Sequence, residues 1–86
     1  MTNYIGLIHK HPKSDFGVSF PDFPGCISAG NTLDEAKAMG TEALQGHVKF
    51  MVDRGEALPQ PSSLEAIMAD PHNASGVAFT VNIQAY

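Results

Sequence analysis

The stretch DFGVSFPDFPGCISAGNTLDEA, residues 15–36, holds two strand signals, a proline-fixed corner and a helix start in unbroken succession. Phe16, Val18 and Phe20 alternate with Gly17 and Ser19, the period-two signature of a strand buried on one face. Pro21 and Pro24 fix their own φ angles and push the residues before them, Phe20 and Phe23, toward extended geometry. Gly25 permits a positive φ, so PDFPG reads as a rigid, protruding corner that presents Asp22 and Phe23. A short strand over residues 26–30 follows. Thr32-Leu33-Asp34-Glu35 then has the form of a capping box: the Thr32 hydroxyl accepts from the Glu35 N–H while the Glu35 carboxylate reaches back to the Thr32 N–H. A helix starts at Leu33.

Downstream, Leu33, Ala36, Gly40, Ala43, Leu44, Val48 and Met51 recur at three- and four-residue spacing, giving the helix one apolar face for a sheet. Gly55 is placed to end it near Arg54, and Pro59-Gln60-Pro61 forms a stiff connector. Ser62-Ser63-Leu64-Glu65 repeats the capping-box pattern and predicts a short helix to about residue 69, stopped by Asp70-Pro71. After a polar loop over residues 72–76, Val77, Phe79, Val81, Ile83 and Ala85 alternate with Ala78, Thr80, Asn82, Gln84 and Tyr86, a final strand. Upstream, residues 3–8 form the first strand and residues 9–14 a turn marked by Pro12 and Ser14. The order is βββαβ: an α+β two-layer domain over residues 1–86, with one long helix on one face of the sheet and a short helix before the last strand. Short loops make the first three strands an antiparallel meander, and the helix is expected to return the fourth strand parallel to an earlier one.

At 86 residues the chain has room for one modest core, and a domain of that size gains from a partner or a second copy. Nine acidic against five basic residues give a net charge of -4, which disfavours direct binding to a phosphate backbone. One cysteine, Cys26, forms no intrachain disulfide and fits a reducing compartment. The N-terminus lacks a signal-peptide pattern and no apolar run approaches a membrane span, so the protein is read as cytoplasmic.

The candidate chemistry is sparse. Asp15, Asp22, Asp34, Glu35 and Glu42 are spread over loops and helix, and neither the first nor the last strand carries an acid, whereas two-metal hydrolysis needs converging carboxylates. His9-x-His11 offers too few ligands for a structural zinc. His47 lies along the helix's buried stripe or its edge and reads as packed and hydrogen-bonded; Cys26 reads as small buried filler. The expectation is no catalytic residue, no metal and no cofactor. The sheet face away from the long helix is assigned Ser19, Ser28, Thr80, Asn82 and Gln84, polar but uncharged. Such a face is either simply solvated or covered by a second copy, since interface cores are depleted of charge.

The ordered set Phe20-Pro21-Asp22-Phe23-Pro24-Gly25-Cys26, then Ala29 to Ala36, then Gly55, Glu56, Leu58, Pro59, Pro61 and Ser62 resembles the N-terminal domain of the HicB antitoxins, components of bacterial type II toxin-antitoxin pairs. The resemblance covers nearly the whole chain. It implies a partial ribonuclease-H-like fold without the catalytic carboxylates. It also implies a partner, HicA, a small basic toxin that cleaves mRNA and whose active site the antitoxin blocks. The site expected for that contact is the corner, Phe20, Asp22, Phe23 and Pro24; the alternative is that PDFPG merely turns the chain and buries its phenylalanines. Family members commonly continue into a DNA-binding segment, which is absent from these 86 residues, so no operator binding is expected of this chain alone. Two other classes remain at this point: an orphan interaction or ligand-binding module of the same fold, and a degenerate RNase-H-like nuclease.

Overall fold

The computed structural model describes residues 2–10 and 15–83. Its elements are β1 (Thr2–Lys10), β2 (Phe16–Ser19), β3 (Ile27–Gly30), α1 (Leu33–Asp53), α2 (Leu64–Met68), α3 (Pro71–Ala74) and β4 (Val77–Ile83). They form a four-stranded sheet in the order β3-β2-β1-β4, with every neighbouring pair antiparallel. The α+β architecture follows the alternation and capping patterns of the sequence, with one correction of topology. β4 runs antiparallel to β1, Thr2 opposite Ile83 and Ile8 opposite Val77, and not parallel to an earlier strand.

The reason lies in the connector. Gly30, at the Lys10 end of the sheet, lies against Ala36 in the first turns of α1, and the helix then runs toward the other end. A crossover by helix alone would leave β4 starting there and running parallel to β1. The chain instead turns back: the Tyr4 hydroxyl donates to the Pro59 carbonyl at 2.6 Å, and further on the His72 ring stacks on His9 with centroids 5.7 Å apart. The strap of α2 and α3 carries the chain the length of the sheet a second time, so β4 begins beside Ile8.

Side-chain alternation in β1 places Tyr4 and Ile8 toward α1, and Leu7 and His9 toward the other face. The main core lies between sheet and α1 and contains Tyr4, Ile8, Val18, Phe20, Ala36, Leu44, Val48, Val81 and Ile83. Leu7 and Ile67 are also buried but stand outside this cluster, on the side where the strap lies. Close approach of α1 requires glycine at two points. A Cβ on Gly40 would meet the Val18 side chain at 2.9 Å, and one on Gly30 would meet the Ala36 Cα at 2.7 Å.

The caps explain the helix limits and correct the sequence reading in detail. The Thr32 hydroxyl accepts from the Glu35 N–H at 3.0 Å as expected, but the Glu35 carboxylate accepts from the Asn31 N–H at 2.8 Å rather than from Thr32. At the C-terminus of α1, Gly55 has φ 75°, its N–H donates to the Val52 carbonyl, and the Glu56 N–H donates to that of Met51. This pair of bonds is a Schellman closure, and the positive φ explains the glycine. α2 is capped by Ser63, whose hydroxyl accepts from the Ala66 N–H at 3.1 Å, leaving Ser62 for another task. Asp70-Pro71 was expected to stop a helix and does so, but it also starts α3. Asp70 accepts from the His72 N–H at 2.9 Å, and Pro71 occupies the first turn, where its missing N–H costs nothing.

Candidate functional site

The corner between β2 and β3 is fixed by backbone hydrogen bonds of its own. The Phe23 N–H donates to the Phe20 carbonyl at 2.9 Å and the Cys26 N–H to the Phe23 carbonyl at 3.0 Å, and Gly25 takes φ 89°. Phe23 turns inward: it is 2 % exposed, edge-on to Tyr4 with ring centroids 4.7 Å apart and edge-on to His47 at 5.7 Å. Asp22 accepts from the Ser62 backbone N–H at 2.9 Å and from its hydroxyl at 2.6 Å. The two motif segments, separated by about half the chain, are thus one unit: P-D-F-P-G is clipped to the segment L-P-Q-P-S by Asp22–Ser62 and braced by Tyr4–Pro59.

This arrangement corrects the expectation that the corner presents Asp22 and Phe23 to solvent. Phe20 and Phe23 are buried, Asp22 is half-buried and engaged, and of the four residues expected to meet a partner only Pro24 is exposed. Gly25 is exposed beside it, and Ile27, at 73 % exposure, continues the surface. Single-sequence reasoning missed Ser62 and Tyr4 as the residues that hold the corner, because neither periodicity nor local spacing signals a bond across 40 or 55 residues.

The uncharged face is also redrawn. Ser19 pairs with Leu7 and lies away from α1, as do Thr80 and Asn82, both exposed; Asn82 donates to Asn3 across the strands at 2.8 Å. Ser28, however, stands opposite Val18 and so faces the α1 side. Gln84 lies outside the described residues, as does His11. An open groove of about 700 Å3 runs along the far face of β2 and β3, lined by His9, Asp15, Ser19, Ile27, Ala29 and His72 among others. His9 stacks on His72, and His47 is half-buried against Phe23. Among the described residues no three His, Cys, Asp or Glu side chains converge as a metal site, and no helix is long and apolar enough to cross a membrane.

Two ionisable groups here are shifted. Burial, and then the charge of Asp22, pushes the Tyr4 phenol above its usual 10.0; burial pushes the Cys26 thiol above 9.0. Both raised values favour the neutral form in the folded state. Their stabilisation is complete below the ordinary values and is lost as pH rises through the raised ones. The melting temperature is expected to hold steady to about pH 8 and to fall progressively at more alkaline pH, and Tyr4→Phe should flatten the upper part of that fall.

A four-stranded antiparallel sheet, one long helix and a clipped surface corner define a small two-layer α+β domain. The chain matches the HicB_like antitoxin of bacterial toxin-antitoxin system family over residues 4–86 and belongs to it. It is 30% identical over 74 residues to Antitoxin HicB 2 of Photorhabdus laumondii, covering 85% of this chain and 53% of that protein. It is also similar to the crystal structure of the Burkholderia pseudomallei antitoxin HicB, with TM-score 0.88 and 34% identity over 98% of this chain and 64% of that one. A chain of the HicA3 and HicB3 toxin-antitoxin complex is similar at TM-score 0.76 and 29% identity, with 98% and 100% covered. The chain spans about half the length of the curated relatives it matches.

Proposed function

We propose that these residues bind and neutralise a small, basic, HicA-like mRNA-cleaving toxin by covering its active site, without catalysis of their own. The observation that carries this reading is the family match over residues 4–86, and the likeness to a HicA3–HicB3 complex chain supports a toxin as the partner. Charge agrees: a net charge of -4 suits a cationic nuclease, because complementary fields speed encounter and penalise wrong partners. The same charge gives these residues no part in holding operator DNA. The reading places the pair in the cytoplasm, where mRNA is.

The contact is assigned to the corner, through exposed Pro24 and the neighbouring Ile27, with Phe20, Asp22 and Phe23 fixing its shape from behind. A loop already held in its bound form loses little conformational entropy on binding. The test is growth rescue: the small basic protein encoded beside this gene is induced in a host cell with and without this chain. Relief of toxicity is expected. Persistent toxicity despite soluble, folded antitoxin chain would count against the reading.

A further inference from the structure

The outer side of α1 has two unlike flanks. At about 3.6 residues per turn, Met39, Ala43, Gly46 and Phe50 fall along one of them. His47 borders that flank and packs edge-on against Phe23, so the flank adjoins the corner. Ala38, Gln45 and Lys49 fall along the other. Met39 is 40 % exposed and Phe50 56 %, and exposed apolar patches rimmed by polar residues mark interaction surfaces. The Arg54 guanidinium lies 5.2 Å from the centroid of the Phe50 ring, an attraction that steadies the ring at the surface. Gly46 is exposed, and among the described residues a Cβ placed there would meet nothing within 4 Å. Glycine inside a helix is less favourable than alanine. Gly30 and Gly40 are explained by close packing within the domain; Gly46 is not.

We infer that this flank of α1 is a second face of the toxin contact, on which the basic partner lays an apolar patch over Met39, Gly46 and Phe50. The inference rests on the toxin reading and extends its site from the corner onto the helix. Charge commits the flank to a cationic occupant. Glu35, Glu42 and Asp53 share the outermost ridge of α1, along the margin of the apolar flank, and all three are exposed. Glu35 also caps the helix, and Asp53 pairs with Lys49 at 3.1 Å. An apolar centre with a charged rim is the common make-up of an interface, and lysines or arginines of the toxin would meet this rim. A second copy docked on the same face would bring one acidic ridge against another, a juxtaposition that costs affinity. Gly46 then has a use: without a side chain there, the partner reaches the helix backbone closely.

The test is inhibition of mRNA cleavage by the purified small basic protein encoded beside this gene, titrated with the parent chain and three variants. Gly46→Gln should melt at or above the parent's temperature, because a better helix former replaces glycine in open space. It should nevertheless inhibit roughly tenfold less well, because its side chain holds the partner off the helix. Phe50→Ser should lose roughly tenfold or more with parent-like circular dichroism; if it folds poorly, Gly46→Gln carries the test. Ala38→Gln, an equivalent change on the other flank, should inhibit like the parent. Equal inhibition by parent, Gly46→Gln and Phe50→Ser overturns the inference and leaves the toxin reading standing, whereas a folded parent chain that does not inhibit overturns both. Weaker self-association of the two flank variants in sedimentation velocity, with inhibition unchanged, overturns it as well and gives the flank to a second copy.

Discussion

Replacing Gly30 by alanine is expected to destabilise the domain by about 3 kcal/mol, near the top of the usual range for overpacking. The new methyl group would sit 2.7 Å from the Ala36 Cα and from the Glu35 carbonyl carbon, and closer still to the Ala36 nitrogen. These are backbone atoms in the first turn of α1, held by the Thr32 and Glu35 capping bonds, so no flexible side chain can move aside. Relief requires α1 to lift from β3, which strips contacts from Ala36 and Leu44, both fully buried. For a domain of this size the melting temperature should drop by roughly 12–24 °C, measured by thermal circular dichroism. A drop of only a degree or two would mean that helix and sheet are not packed as closely as described.

The second large effect is expected at Phe23. Its ring is 2 % exposed and packs edge-on against Tyr4 and His47; Phe23→Ala removes both contacts and leaves a cavity beneath the corner, at a cost of about 3–5 kcal/mol. The consequence for function is specific. If Phe23 supports the corner from behind, loss of toxin binding must track loss of folding, and low temperature that refolds the variant should restore much of the affinity. Pro24→Ala should do the opposite, leaving the melting temperature nearly unchanged while weakening binding. Denaturant melts read beside binding titrations separate the two roles, and a fully folded Phe23→Ala chain that fails to bind would make Phe23 a direct contact.

These two residues also mark what was legible in the sequence. Local signals held where local physics decides: the alternation of Phe16, Val18 and Phe20 gave β2, Thr32 capped α1, and the glycine required after Arg54 ended it. Path and exposure were less legible. The antiparallel return of β4 depends on the strap that runs from Pro59 beside Tyr4 to His72 beside His9, a hydrogen bond and a ring stack between residues far apart in the chain that carry no periodicity. Proline 71 was legible as a stop and not as a start, because the same residue serves both ends of adjacent short helices. Ser28 was placed on the wrong face because the strand's register is set by Val18 opposite it, not by its own hydroxyl. At the corner, the rigidity of PDFPG was readable from its prolines, but the inward turn of Phe23 and the engagement of Asp22 by Ser62 were not.

The most direct measurement of the central claim is a titration of this chain into the purified cognate toxin, with cleavage of a labelled mRNA as the readout. The account predicts that cleavage falls in proportion to added chain and ceases near one chain per toxin active site. The corner variant Pro24→Ala should shift the curve to higher concentration. Cleavage that continues at full rate under a large excess of folded chain would contradict it.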